Sequence, residues 1–470
     1  MKKIFILFVI FGMSLNGSIA FSQEKAASPS LTLEDCIQLA LKNRPELEMA
    51  TLDILNSKHQ IDEATSYYYP RLNVNSGYTR FNRPESFSFN ETIDVSSLVS
   101  DEFNRFLQGI GLEPLPQAIP QAFDIEVGKT NWYWVSLDLT QPIYTFGRIK
   151  EGVNQARIGH SIAVNQKEKK REEIVFEVKK VYYQLMLAKE IQQLVKEAEA
   201  RASVVAKMVK IAYETSIPEK EDEGTTRIDY LKAENFYSEM KAKLSEASKN
   251  VKLAELALKM TIGIITEEPL GLSDVSLKSM PMTSVSQGEV KGKVREGNID
   301  LKNLDLGLQL FNSKRRAAKA EYLPKISLLS QYLGPEDRYE TPNVWYLGVG
   351  ISMPLFDGFL TKAKVGQAEA QFRKANTQKI LLESALSIQV DHLHATLMEL
   401  RERVNIFQGA IKDAQERAQL AADGYAAGIT EYDELLLAQR TELEMRSAYL
   451  QILYLYQTTR SEIEFISGGM

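Results

Sequence analysis

Leu386-Ser387-Ile388-Gln389-Val390-Asp391-His392-Leu393-His394-Ala395-Thr396-Leu397-Met398-Glu399-Leu400 places apolar side chains at alternating spacings of four and three, and the pattern continues well past its end. Leu386, Val390, Leu393, Leu397, Leu400, Val404, Phe407, Ile411, Ala414, Ala418, Ala421 and Tyr425 form one unbroken stripe, the seam of a left-handed coiled coil. An earlier stretch begins the same way with Ile174, Val178, Val181, Leu185 and Ala188, and resumes at Val195, Ala198, Ala202, Val205, Val209 and Ala212. No proline lies between Pro142 and Pro218 or after Pro354. Arg148 to Tyr213 therefore reads as one helix on the order of 100 Å long, far beyond ordinary globular helices. Segments near Pro45–Tyr69 and Arg227–Ile262 have nearly its length between them and can pair with it end to end.

The two seams belong to an internal duplication. Asn43-Arg44-Pro45-Glu46-Leu47 and Tyr69-Pro70-Arg71-Leu72 align at an offset of 254 with Gly297-Asn298-Ile299-Asp300-Leu301 and Leu323-Pro324-Lys325-Ile326. Pro142-Ile143-Tyr144 matches Pro354-Leu355-Phe356, and Tyr213 matches Tyr425, at an offset of 212, so the first copy carries 42 more residues between its strands. Asp229-Tyr230-Leu231-Lys232-Ala233 then matches Glu434-Leu435-Leu436-Leu437-Ala438 at an offset of 205. The predicted organisation is a first repeat over 31–265, a linker over 266–288 and a second repeat over 289–469.

Between proline breaks the period changes to two. Leu72, Val74, Ser76 and Tyr78 alternate with Asn73, Asn75, Gly77 and Thr79, and Tyr133, Val135, Leu137 and Leu139 alternate with Trp134, Ser136, Asp138 and Thr140. Ile326–Tyr332 and Leu347–Met353 repeat the pattern. Apolar-out, polar-in strands of this length suit a transmembrane barrel. Trp132, Trp134 and Trp345 read either as an interfacial girdle or as aromatic pairs of a half-buried sheet. Pro70, Pro142, Pro324 and Pro354 mark the strand–helix junctions.

Composition narrows the setting. Met1-Lys2-Lys3, the apolar run Ile4–Leu15 and the small residues that follow read as a signal peptide over 1–22. Past it no apolar run is long enough for a membrane helix. The single cysteine, Cys36, excludes an intrachain disulfide and reads as a small buried hydrophobe. The 56 basic and 62 acidic residues give a net charge of −6 without large blocks, which leaves no footprint for nucleic acid.

Catalytic and metal motifs are missing from the reading. His392 and His394 diverge on a helix and His59 and His160 are scattered, Gly288-Glu289-Val290-Lys291-Gly292-Lys293 lacks a phosphate loop's length and hydroxyl, and there is no Gly-x-Ser-x-Gly. The chain reads as no enzyme and as needing no cofactor.

Four strands cannot close, since barrels start at about eight, and open edges in lipid leave backbone groups unpaired. Three copies would give twelve strands around a lumen, continued by a cylinder of helices. The alternative is a soluble exported coiled-coil protein, structural or adaptor-like, which explains the seams but not the four proline-bounded strands.

Several segments resemble the TolC-like outer-membrane efflux proteins. They are Leu33-Glu34-Asp35-Cys36-Ile37-Gln38-Leu39-Ala40-Leu41 with Asn43-Arg44-Pro45-Glu46-Leu47, the junctions Gln141-Pro142-Ile143-Tyr144-Thr145-Phe146-Gly147 and Met353-Pro354-Leu355-Phe356-Asp357-Gly358, and the tip Tyr425-Ala426-Ala427-Gly428-Ile429. The likeness runs from about Leu31 to Gly468. It implies a homotrimer in the outer membrane of a Gram-negative cell, with a helical tunnel in the periplasm. It also implies a periplasmic adaptor (a membrane fusion protein) and an inner-membrane transporter as partners, with transport driven by the pump. By resemblance, Tyr213, Tyr425, Ala427, Gly428 and Ile429 fall where the adaptor is met, and the aperture acid falls on Glu434, with Asp433 beside it and Asp229 as the first copy's counterpart. Leu437 replaces the family's second acid. Glu434 as a solvated helix-start residue remains the alternative. The 42 extra residues are expected at the cell surface, where long barrel loops lie.

Overall fold

The computed structural model describes residues 31–127, 129–215, 226–265, 270–273, 276–280, 282, 286–334 and 343–469. The signal-peptide reading and part of the linker therefore lie outside the described residues. Two compact units divide the chain, one made of 1–48, 169–297 and 387–470, the other of 49–168 and 298–386. Each draws on both halves of the sequence.

In the first unit a capping box starts α1 (Leu33–Asn43): the Asp35 amide donates to Thr32 Oγ1 (3.1 Å), and the Thr32 amide donates back to Asp35 Oδ2 (2.9 Å). Arg44 then turns extended, as a residue before proline must, and Pro45 opens α2 (Pro45–Ser66) at the position where its missing N–H costs nothing. Cys36 is fully buried in α1, and that burial pushes its thiol up to about 11. The long helices are α4 (Arg148–Thr215) and α8 (Leu360–Ala426), with α5 (Arg227–Ile262) and α9 (Tyr432–Ile466) returning from them. Nine of the twelve seam positions in α8 are buried, and Phe407, Ile411 and Tyr425 are half-buried.

The duplication is visible as one contact made twice. Gly263 ends α5 in the left-handed conformation (φ 69°), and a Cβ there would stand 2.8 Å from the Cβ of Asn43. Gly468 follows α9 likewise (φ 80°) and packs on Gly297, the last residue of α6 (Gln287–Gly297), so tightly that a Cβ would stand 2.7 Å from the Gly297 carbonyl carbon. Asn43 and Gly297 are the pair that the sequence aligns at offset 254, as Gly263 and Gly468 are at offset 205.

The second unit holds the sheet. β1 (Arg71–Arg80), β4 (Asn131–Tyr144), β5 (Lys325–Leu333) and β6 (Val344–Ser352) form an antiparallel sheet in the order β1-β4-β5-β6. The register puts Val74 opposite Leu137, Leu139 opposite Ser330 and Leu328 opposite Val349, so most apolar residues of the four strands share one face, with Leu329, Leu333 and Val344 on the other. That face lies open in the single chain, with Val74 67% and Ile351 71% exposed. The alternation that aligns it also divides the tryptophans. Trp345 lies opposite Tyr332 on the apolar face, in register with Leu137 and Val74, while Tyr78 and Tyr133 pair four residues further along their strands on the same face. Trp132 and Trp134 are one residue out of phase and take the polar face, where the Trp134 indole covers Gly77 and Trp132 lies 6.3 Å from it. Of the three tryptophans only Trp345 shares the apolar face.

The 42-residue excess is more than a loop. β2 (Glu85–Asp94) pairs with β3 (Ala118–Val127) and continues the β1–β4 hairpin as a two-stranded ribbon, with α3 (Asp101–Gly109) between them, capped by Ser100 Oγ. The ribbon joins the sheet through the Phe81 amide, which donates to the Thr130 carbonyl at 2.7 Å.

Both strand-to-helix corners use two consecutive left-handed residues, in opposite order: Phe146-Gly147 (φ 50° and 86°) before α4, Gly358-Phe359 (φ 65° and 66°) before α8. Left-handed phenylalanine is strained backbone, which persists only where surroundings enforce it. Thr145 and Asp357, again aligned at 212, each accept a backbone N–H of the helix that follows, from Ile149 and Thr361. Beyond the corners, α7 (Ile299–Ala320) is tied to α4 by Arg316 and Ser313 on Glu151, and to α8 by Arg315 on Glu369 and Lys379 on Asp305.

Candidate functional site

The tips of the helical hairpins are assembled from small residues upward. Ala206, Val209, Ala233, Ala418, Ala421, Leu435 and Ala438 make a buried cluster with Tyr432, so the α4–α5 and α8–α9 hairpins approach closely there. Tyr213 stacks on Tyr230 (5.8 Å between centroids, 6° between planes), and Tyr425 meets Tyr432 edge-on at 5.8 Å. Burial pushes the Tyr432 phenol up to about 12. In the turn after α8, the Ile429 and Thr430 amides both donate to the Gly424 carbonyl, at 2.8 and 3.2 Å, and Gly428 takes φ 73°. Ala427, Gly428 and Ile429 are exposed, Ile429 at 84%.

The acids at the tip each have a partner. Asp229 closes a capping box with Thr226 at the start of α5. Lys232, one turn on, puts its Nζ 2.6 and 2.8 Å from the two carboxylate oxygens of Asp433 and 4.0 Å from Asp229. The Asp433 carboxylate, accepting from that ammonium, holds the Lys232 pKa above its usual value. Glu434 accepts from Arg417 Nη2 at 2.8 Å and Nε at 3.2 Å. Two ion pairs thus tie α5 to α9 and α8 to α9. The expected cluster of acids is present, but the same chain sets a cation against Asp433 and against Glu434. Leu437, at the family's second acidic position, is 52% exposed.

In the second unit Pro70, Pro324 and Pro354 flank the strands. Pro142 does not: it lies within β4, opposite Ser327, where the register slips by one residue before Tyr144. Proline has no N–H for the ladder and is tolerated at such an irregularity, so the corner itself falls at Thr145–Gly147. The polar face of the sheet contains one feature the sequence reading left unremarked. Asp138, the only acidic residue in β1, β4, β5 and β6, is gripped by the side-chain amides of Asn75 and Gln331 and by Ser136 Oγ at 3.0 Å. Its scarcity in the strands was the available signal.

A four-stranded sheet with an apolar outer face, continued by proline-free coiled-coil hairpins, defines one chain of an outer-membrane channel with a periplasmic helical tunnel. The chain belongs to the outer membrane efflux protein family, which it matches over residues 36–263 and 291–469. It is 21% identical over 443 residues to SilC of Salmonella typhimurium, a probable outer membrane lipoprotein, covering 92% of this chain and 84% of that one. Its fold is that of CusC (TM-score 0.74, 17% identity, 94% of this chain and 93% of that one). It is also similar to the open state of the MtrE outer membrane channel of Neisseria gonorrhoeae (TM-score 0.71, 18% identity, 93% and 89%).

Proposed function

We propose that three copies of this chain close a twelve-stranded barrel and serve as the passive exit duct of a tripartite efflux or type I secretion system. A periplasmic adaptor would be engaged at the tips and an inner-membrane transporter would supply the energy. The observation that carries this reading is the sheet: β1 and β6 are its two free edges, and its apolar face is bare. Each unpaired backbone group of such an edge costs several kcal/mol in lipid, and closure against neighbouring chains removes the edges. Further support comes from apolar residues outside the seams, Val204, Met208 and Ile211 on α4 and Leu253, Leu256 and Met260 on α5, which keep helical spacing yet lie exposed in the single chain.

The chain acts as a conduit and not as an enzyme. The two repeats, 31–265 and 289–469 joined through 266–288, descend from a duplication, a reading supported by the paired Gly263–Asn43 and Gly468–Gly297 contacts. At the tips, Asp433, Glu434 and Asp229 border the aperture as members of ion-paired latches, while Tyr213, Tyr425, Ala427, Gly428 and Ile429 offer the adaptor an exposed apolar turn. Mass measurement in detergent should give three copies, and a photo-crosslinking residue at Ile429 should capture the adaptor in cells. A stable monomer in the outer-membrane fraction overturns the assembly; crosslinking at Val74 but never at Ile429 overturns the docking assignment.

A further inference from the structure

The acids at the tip are offset by Lys232 and Arg417, whereas Asp138 has no such partner. Its carboxylate takes only neutral donors, the amides of Asn75 and Gln331 and the hydroxyl of Ser136, and among the described residues no cation lies within ion-pair distance. The nearest basic residue on that face, Arg71, stands opposite Thr140, and its guanidinium sits over the Tyr67 ring at 4.5 Å. Asp138 shares the face with the polar, uncharged Asn73, Asn75, Ser136, Thr140, Ser327 and Gln331 and with Leu329, and the basic residues of that face, Arg71 and Lys325, lie toward its helix-joined end. Three neutral donors hold the charge in place without cancelling it.

Given that the apolar face meets lipid, this face lines the water. We infer that Asp138, repeated in each chain of the closed barrel, is the residue that gives the membrane-spanning part of the channel its preference for cations. The inference rests on the trimeric-barrel reading. The charge acts through the field it casts on the lumen, so bulk monovalent cations are its ligands and no closed binding pocket is required. Coulomb attraction from one unit charge at about 5 Å in water enriches a monovalent cation about fourfold over an uncharged lumen. The effect is confined to a Debye length, about 10 Å in 0.1 M salt and about 3 Å in 1 M.

The test uses the full-length protein in planar bilayers, with the potassium-to-chloride permeability ratio read from reversal potentials in a potassium chloride gradient. Wild type should prefer potassium, Asp138→Asn should lower the ratio by up to about sixteenfold at 0.1 M, since the charge that enriches potassium fourfold depletes chloride fourfold, and the difference should shrink at 1 M. Gln331→Lys sets an ammonium beside Asp138 and should abolish the preference with the carboxylate still present, which keeps the question decidable if Asp138→Asn fails to assemble. An unchanged ratio in Asp138→Asn or Gln331→Lys overturns the inference while leaving the channel reading in place. Absence of any conductance from wild type overturns the channel reading, and this inference with it.

Discussion

Gly468→Ala tests how closely the two repeats are built. The native residue has φ 80°, and a side chain in the left-handed region costs about 1–2 kcal/mol. The added methyl would also stand 2.7 Å from the carbonyl carbon and 3.2 Å from the Cα of Gly297, so backbone has to move, and overpacking of that kind costs about 1–3 kcal/mol. The total is about 2–5 kcal/mol, toward the upper end because both close contacts are with backbone. Gly263→Ala bears the same conformational cost, and its methyl would stand 2.8 Å from Asn43 Cβ, which moves only with its backbone, but the nearest main-chain atoms are 3.4 Å away, so its total is nearer 2–4 kcal/mol. Gly292→Ala is the control: it lies within α6 with open space around it, and alanine in a helix gains about 0.5–1 kcal/mol over glycine. Loss of helical circular dichroism on heating, followed in detergent, should rank Gly292→Ala at or above wild type, then Gly263→Ala, then Gly468→Ala. A Gly468→Ala protein that melts with wild type, or above Gly263→Ala, would refute the claim that the second copy is the more tightly closed.

At the tip, Asp433→Asn combined with Glu434→Gln removes both ion pairs, so single-channel conductance should rise over wild type in low salt and approach it in high salt; equal conductance in both would count against the latches. The ribbon of β2, α3 and β3 should lie at the cell surface, so a tag inserted at Ser97 should bind antibody on intact cells, and binding only after lysis would reverse the orientation. Glu151 is held below the usual carboxylate range first by its hydrogen bonds from Arg316 and also by Ser313. A depressed folded value means its contribution is full above the unfolded carboxylate value of about 4.3 and is lost as pH falls through the lower folded value. Glu151→Gln should therefore show a smaller drop in thermal midpoint between pH 7 and pH 3 than wild type, and an identical drop would remove Glu151 from the acid response.

The features that repeat at short range were legible in the sequence. The seam of α8, the limits Arg227–Ile262 of α5 and the helical segment opening at Pro45 all follow from residues within a turn or two of one another. Alternation likewise gave the faces of the four strands, because side-chain direction in a strand follows from parity alone. What parity implied for Trp132 and Trp134 was set aside in favour of aromatic proximity along the chain. The ribbon strands β2 and β3 went unread because Glu85–Asp94 is mostly polar and short, and its partner lies beyond a helix. The tip chemistry was half legible: the acids could be located, but Lys232 and Asp433 are 201 residues apart, and only the folding of the two hairpins against each other brings them within 2.6 Å. The same holds for Asp138 and Gln331, which are 193 residues apart.

That last separation bears on biogenesis. β1 can pair with β4 as soon as their hairpin leaves the export machinery, but β4 must wait for β5 until the whole of α4 and α5 has followed. Loop closure over such a distance is slow, and meanwhile β4 presents an unpaired edge beside an apolar surface, the arrangement that recruits stray strands from other chains. β5 and β6 then complete the four-stranded sheet before α8 and α9 have followed, and the edges of β1 and β6 stay open in the single chain. A newly exported copy therefore carries unpaired strand edges beside an apolar surface until they find pairing partners.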